Sequence, residues 1–243
     1  MAELISGLSA DTVRANLDRI RMEIAAAVAR SSGARRHRPE VEILAAGKYV
    51  SLEDMPVLAD AGISLVGENR AQDLQAKVAA HGGLFEWDFI GALQSRRVRL
   101  IVPHARLIHS VASESALREL ARHRELARPD LRILVEVNIA AESGKAGVAP
   151  EQLGEFIAGS AVPVAGLMTM PPLSDDPGRS RPWFASLREL ADEHGLAELS
   201  MGTSQDYVVA VEEGATIVRI GTNLYHEPFG SSAPPALPEP ANH

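Results

Sequence analysis

A single TIM-type (β/α)8 barrel is the fold class this chain predicts, and three observations predict it. Apolar, β-rich runs alternate eight times with stretches of helical periodicity. The chain has 243 residues, against about 250 for one such barrel. Chemistry-bearing residues recur just past the ends of those runs, where barrels of this class gather their sites. A doubly wound open sheet is the alternative, since it shares parallel strands and right-handed crossovers.

An extra amino-terminal helix comes first. Val13, Leu17, Ile20, Ile24 and Val28 recur at three- and four-residue steps, with Ser9 or Asp11 as the cap. The first strand is Val41 to Lys48, followed by a helix from about Leu52 to Ala61. Ile63 to Gly67 is the second strand, with a helix from near Arg70, and Trp87 to Gly91 the third, with a helix around Gln94 to Val102. Leu107 to Val111 is the fourth, and Ser113 caps a helix reaching about Ala127. Arg132 to Ile139 is the fifth, with a helix after Pro150. Val162 to Met168 is the sixth, and Trp183 to Glu193 lies in a helix. Glu198 to Met201 is a short seventh strand, with a helix from about Gln205 to Glu213, and Thr216 to Gly221 is the eighth. Residues 1–226 therefore read as one barrel domain. Residues 227–243, rich in Pro and Ala, read as a disordered tail with too little apolar surface to fold.

Composition removes several function classes. Hydrophobic residues make up 46% and charged residues 23%, enough for a substantial core. A net charge of −8 leaves no basic excess for phosphate backbones, so no nucleic-acid partner is expected. The one basic cluster, Arg35-Arg36-His37-Arg38, reads as a solvated loop. There are no cysteines, which excludes disulfides, thiolate metal sites and cysteine catalysis. The amino terminus shows no signal-peptide pattern, and no apolar run approaches the roughly 20 residues of a membrane helix. A cytoplasmic monomer without membrane contact is expected.

Lys48 closes the first strand, where its amine faces desolvation, the state that favours a nucleophilic amine able to form a Schiff base. Ser200 to Ser204 leave the seventh strand: Gly202 allows close backbone approach, and Thr203 and Ser204 offer hydroxyls. The same stretch reads equally well as a plain helix cap. Gly221-Thr222 follows the eighth strand, and phosphate sites built after strands seven and eight recur in this fold. Arg219 lies two residues before Gly221 and shares the face of Ile217. Inside the barrel it needs a partner: a pyridine nitrogen, or a buried ion pair with Glu68 or Glu136. Asn69 and Met168 fall on the same rim. Schiff-base lysine, phosphate cradle and strand-borne arginine together are what pyridoxal 5′-phosphate requires.

Some residues read as bystanders. Gly144-Lys145 lacks a P-loop pattern, though Lys145 is a second candidate amine after strand five. His81, His104, His109, His123 and His194 lack metal-ligand spacing and read as solvated or capping residues, so no metal is expected. Trp183-Phe184 reads as core.

The chain resembles the YggS/PROSC family of pyridoxal phosphate homeostasis proteins, which share the barrel of the alanine racemase amino-terminal domain. The resemblance spans about residues 10–226 and rests on Leu44 to Lys48, Gly67-Glu68-Asn69, Phe89 to Gln94, Val135 to Asn138, Gly166-Leu167-Met168, Leu199 to Gly202 and Val218 to Thr222. It implies an aldimine at Lys48, with Asn69 beside the cofactor ring and Arg219 against the pyridine nitrogen. It further implies phosphate ligands at Ser204, Gly221 and Thr222, helped by Met201 and Gly202. Thr203, Tyr49 and Asp88 depart from the family pattern, where Met, a small polar residue and His are usual.

Three functions compete. The first is a carrier that buffers pyridoxal phosphate and passes it to apoenzymes, without turnover. The second is an amino-acid racemase using that cofactor, and the third a Schiff-base aldolase acting on sugar phosphates. The aldolase gives Arg219 no role. The racemase needs a second base on the opposite face of the substrate, expected from another domain, and an arginine at the ring nitrogen weakens the electron sink. The carrier is the expectation.

Overall fold

The computed structural model describes residues 5–31 and 40–226. Eight parallel strands close into a barrel in sequence order. They are β1 (Glu42–Ala46), β2 (Leu65–Glu68), β3 (Glu86–Phe89), β4 (Leu107–Val111), β5 (Arg132–Glu136), β6 (Val164–Met168), β7 (Glu198–Thr203) and β8 (Ile217–Ile220). The helices between them are α2 (Met55–Asp60), α3 (Ala71–His81), α4 (Val98–Ile101), α5 (Glu114–Arg122), α6 (Leu153–Ala158), α7 (Arg181–Glu193) and α8 (Tyr207–Glu212). Closure decides against the open sheet: β1 pairs with β8 through Glu42 opposite Ile217 and Ala45 opposite Ile220.

Every expected strand is present, and most are shorter than their apolar runs. The first run continues through Lys48, but the strand stops at Ala46 and residues Gly47–Tyr49 form a 3₁₀ turn. That turn demands glycine at 47, because an added Cβ would sit 2.7 Å from Glu68 Oε1 and 2.9 Å from Val66 Cγ1. The seventh strand runs two residues further than its apolar run, to Thr203.

The amino-terminal helix α1 (Ala10–Arg30) is capped as expected: Ser9 Oγ accepts the Thr12 N–H at 3.4 Å. Val13, Leu17, Ile20 and Ile24 are buried, while Val28 is exposed and Ala27 takes its place in the core. The helix after β8, α9 (Thr222–Tyr225), is a single turn. A full-length helix would be needed to cover the β8–β1 seam. Instead α1 packs against α8, α9 and α2 and fills that position. Asn16 Nδ2 anchors it, donating to Leu224 O at 3.1 Å and His226 O at 2.9 Å.

Alternation along the strands sorts two cores. Leu44, Leu65, Leu107, Leu134, Met168 and Ile217 fill the barrel interior. The opposite faces, including Ala45, Trp87, Ile133, Leu199 and Val218, pack on the helices. Phe184 belongs to that outer core, as expected, while Trp183 is half-buried beside it. The basic cluster at 35–38 and the tail 227–243 lie outside the described residues. Among the described residues no helix is long and apolar enough to cross a membrane.

Candidate functional site at the carboxyl ends of the strands

Lys48, Asn69, Met168, Ser204, Arg219, Gly221 and Thr222 fall at or just past the carboxyl ends of β1, β2, β6, β7 and β8, and Ser200 to Thr203 make up the second part of β7. Strand register brings three of these ends together. Ser204 Oγ accepts the Gly221 N–H at 3.1 Å, and Asn223 Nδ2 donates to Ser204 O at 2.8 Å. A Cβ added to Gly221 would lie 3.7 Å from Ala46 Cβ, two residues before Lys48. Lys48 itself is half-buried, with Nζ 4.6 Å from the centroid of the Tyr49 ring.

Buried polar groups brace the Lys48 turn from behind. Lys77 Nζ donates to Gly47 O at 2.8 Å and pairs with Glu68 Oε1 at 2.5 Å. Tyr225 Oη donates to Ala46 O at 3.1 Å. Burial pushes the Glu68 carboxyl above its ordinary range against the pull of Lys77. Glu68 is therefore the partner of Lys77, which removes it as the alternative ion-pair partner of Arg219. Asn69 follows it, its N–H reaching Glu68 Oε2 at 3.3 Å.

The end of β7 is shaped by Gly202, whose φ is +89° and whose added Cβ would meet Ala210 Cβ at 2.6 Å. Thr203 does not face an anion with its hydroxyl. Its N–H and Oγ1 go to Asp206 Oδ1 at 2.8 and 3.2 Å. Among the described residues the Ser204 hydroxyl hydrogen has no acceptor; Thr222 is exposed, and the N–H groups of Thr222 and Asn223 open α9 without acceptors within it. Met201 turns outward into the helix-facing core, and Met168 lies under the site in the barrel interior.

Arg219 enters the barrel, as its shared face with Ile217 predicts, and is buried there. Among the described residues it makes no ion pair. Nη1 donates to Ser200 O at 2.9 Å and Ser200 Oγ at 2.5 Å, and Nη2 donates to Thr169 O at 3.1 Å. Three of five N–H groups are thereby used; Nε–H and one Nη2–H have no acceptor among the described residues. Burial pulls the guanidinium down to about 10, against Asp206 and Glu136, whose charges hold it up. Arg219 also lines a cavity of about 60 Å³ with Met170, Gly202 and Asp206.

One histidine overturns its expectation. His109 is neither solvated nor capping: it is fully buried inside the barrel between Asp88 and Ser200. The period-two placement beside Leu107 carried that signal. Lys145 pairs with Glu142 in the loop after β5. No group of three or more metal-ligating side chains occurs among the described residues. A cavity of about 550 Å³ lies between α5 and α6 and contains none of the site residues.

The family described as alanine racemase, N-terminal domain, matches residues 11–228. A pyridoxal phosphate homeostasis protein of Aquifex aeolicus is 40% identical over 76% of this chain and 86% of its own length. One from Vibrio cholerae is 33% identical over 89% of this chain and 96% of its own. The chain belongs to the pyridoxal phosphate homeostasis family. Among solved structures in this family, PipY of Synechococcus elongatus with PLP bound is similar at a TM-score of 0.72 and 30% identity, covering 88% of this chain and 100% of PipY.

Proposed function

We propose that this family member binds pyridoxal 5′-phosphate and serves its homeostasis by buffering and delivering it. The observation that carries the reading is the convergence of Ser204 and Gly221 beside the end of the strand that leads to Lys48. The residues present fit the cofactor. The phosphate suits the Ser204 hydroxyl, the Thr222 hydroxyl and the opening N–H groups of α9. The unfilled N–H groups of Arg219 suit a neutral ring acceptor. Lys48 would carry the covalent link, with Asn69 beside the ring, Ser200 and Met168 beneath it, and Met201 and Gly202 shaping the phosphate loop. PipY, solved with PLP bound, supports the same reading.

When bound, the cofactor supplies a reactive aldehyde and an electron-withdrawing ring. The residues around it favour storage over turnover. Arg219 sets a fixed cation where protonation of the ring would set a second one beside it. Lys48 is the one amine this rim offers for moving a substrate proton, since Lys77 is committed to Glu68 and Lys145 to Glu142. A racemase would need a second base facing Lys48. An aldolase would leave the open N–H groups of Arg219 without purpose.

We assign the binding barrel to residues 1–226 in a monomeric cytoplasmic protein whose partners are transiently bound apoenzymes. The test mixes the cofactor-loaded protein with an apo pyridoxal-phosphate enzyme. Recovered enzyme activity, together with a visible chromophore in the loaded protein, supports the assignment. A colourless protein after incubation with pyridoxal phosphate sinks it.

A further inference from the structure

A line of hydrogen bonds crosses the barrel interior beneath Arg219, and cofactor binding as described above leaves it unexplained. Donor counting fixes its direction. Arg219 Nη1 can only donate, and it lies 2.5 Å from Ser200 Oγ. Ser200 Oγ is 2.8 Å from His109 Nδ1, and His109 Nε2 is 3.1 Å from Asp88 Oδ2. An ionised carboxylate only accepts, so Nε2 carries a hydrogen. A neutral imidazole then has a bare Nδ1, and Ser200 must donate to it.

The charge states follow from the surroundings. The His109 ring is fully buried, and burial holds it below the usual imidazole range; Asp88 pulls the other way, while the Arg219 and Arg106 charges add to the burial effect. Asp88 resists its own burial because hydrogen bonds from His109 and Arg106 keep it ionised. Arg106 clamps it from the floor of the barrel, with Nε 3.1 Å from Oδ1 and Nη2 3.0 Å from Oδ2. The same guanidinium grips Glu42 at 2.8 and 3.0 Å. The relay thus runs Arg106, Asp88, His109, Ser200, Arg219.

We propose that Asp88 and His109 are positioning residues: they claim the Ser200 hydroxyl hydrogen, leave its lone pair facing Arg219, and so hold the free guanidinium N–H groups in one place. Without His109 the hydroxyl is free to rotate, and its hydrogen can face Nη1, donor against donor. The inference rests on reading Arg219 as the partner of the cofactor's ring nitrogen, and its role vanishes for a ligand lacking that nitrogen. Asp88 matters in particular because a second neutral histidine there would not fix the tautomer of His109 so strongly.

The experiment has two arms. In the cofactor-free protein, ¹⁵N spectra of the histidine rings should show His109 as the neutral Nε2–H tautomer at neutral pH. An Nδ1–H tautomer or a protonated ring would overturn the relay, and this arm needs no cofactor. In the second arm, pyridoxal phosphate and its 1-deaza analogue, with carbon in place of the ring nitrogen, are titrated into wild type, His109→Leu, Ser200→Ala and Ser200→Thr. Loss of one charge-assisted contact is worth about tenfold in affinity. The expected result is a roughly tenfold weaker pyridoxal phosphate complex for His109→Leu and Ser200→Ala, recovery in Ser200→Thr, and little change with the deaza analogue. Ser200→Ala leaves the Asp88–His109 pair intact and keeps the test alive if His109→Leu misfolds. Equal losses for both ligands would mean a structural role alone and refute the proposal. Failure of wild type to bind either ligand would instead remove the binding reading, while the tautomer still reports on the relay.

Discussion

Ser204 accepts the backbone N–H of Gly221 at 3.1 Å, and this bond stitches the loop after β7 to the loop after β8. The two candidate phosphate loops are therefore one structure. Removing the Ser204 and Thr222 hydroxyls together should weaken pyridoxal phosphate binding by about 1.5–3 kcal/mol for each lost bond to a charged acceptor. Cofactor retention on dialysis of the Ser204→Ala/Thr222→Ala protein checks this. Unchanged retention would place the phosphate elsewhere.

Lys77 and Glu68 form a buried pair behind the Lys48 turn. Lys77→Met strands the Glu68 charge and frees Gly47 O, and should destabilise the protein by about 3–5 kcal/mol. Adding Glu68→Gln to it should recover part of that loss. Denaturant unfolding of the single and double variants provides the comparison, and a double variant no more stable than the single would contradict the pairing.

Stability should fall on acidification. His109 is held below its ordinary value of 6.5. The unfolded ring takes up a proton below about 6.5 while the folded one stays neutral, so the unfolded state gains protons and stability falls through that window. Asp88 acts in the same sense lower down: it is held below 3.8, and its contribution, present above that value, is lost as pH falls through the folded one. Glu68, raised above 4.5, works the opposite way as it takes up its proton early. Asp88, Ser200, Arg219 and Arg106 surround His109, and none of the other four titrates near neutrality. His109→Leu should therefore flatten the decline between about pH 7 and 5, as read by chemical unfolding at each pH. An equally steep decline in the variant would assign the proton uptake elsewhere.

Loaded protein incubated with L- and D-amino acids in deuterated water should exchange and invert the α-position far more slowly than the 1–1000 per second, roughly, of typical enzymes. Rapid exchange with inversion for any amino acid would restore the racemase.

Much of this was legible in the chain because barrel strands are apolar on both faces. Runs such as Leu107 to Val111 coincide with their strand to the residue. Ends were less legible: the apolar run of β1 continues into a turn whose geometry is set by Glu68 and Val66, distant in sequence. Among the site residues, Lys48, Ser204, Arg219 and Gly221 stood out by type and position. The braces did not. Lys77, Asp88 and His109 are ordinary polar residues until the fold sets each against partners 9 to 91 positions away. Val28 fits the apolar stripe in the sequence because Ala27, the buried neighbour, carries too little side chain to mark one.

The central claim is that Lys48 holds pyridoxal phosphate, and borohydride reduction of the loaded protein followed by peptide mapping tests it most directly. The account predicts a pyridoxyl group on the peptide containing Lys48 and a colourless Lys48→Ala protein. A label carried mainly by Lys145 or Lys77, or a Lys48→Ala protein that keeps its colour, would contradict it.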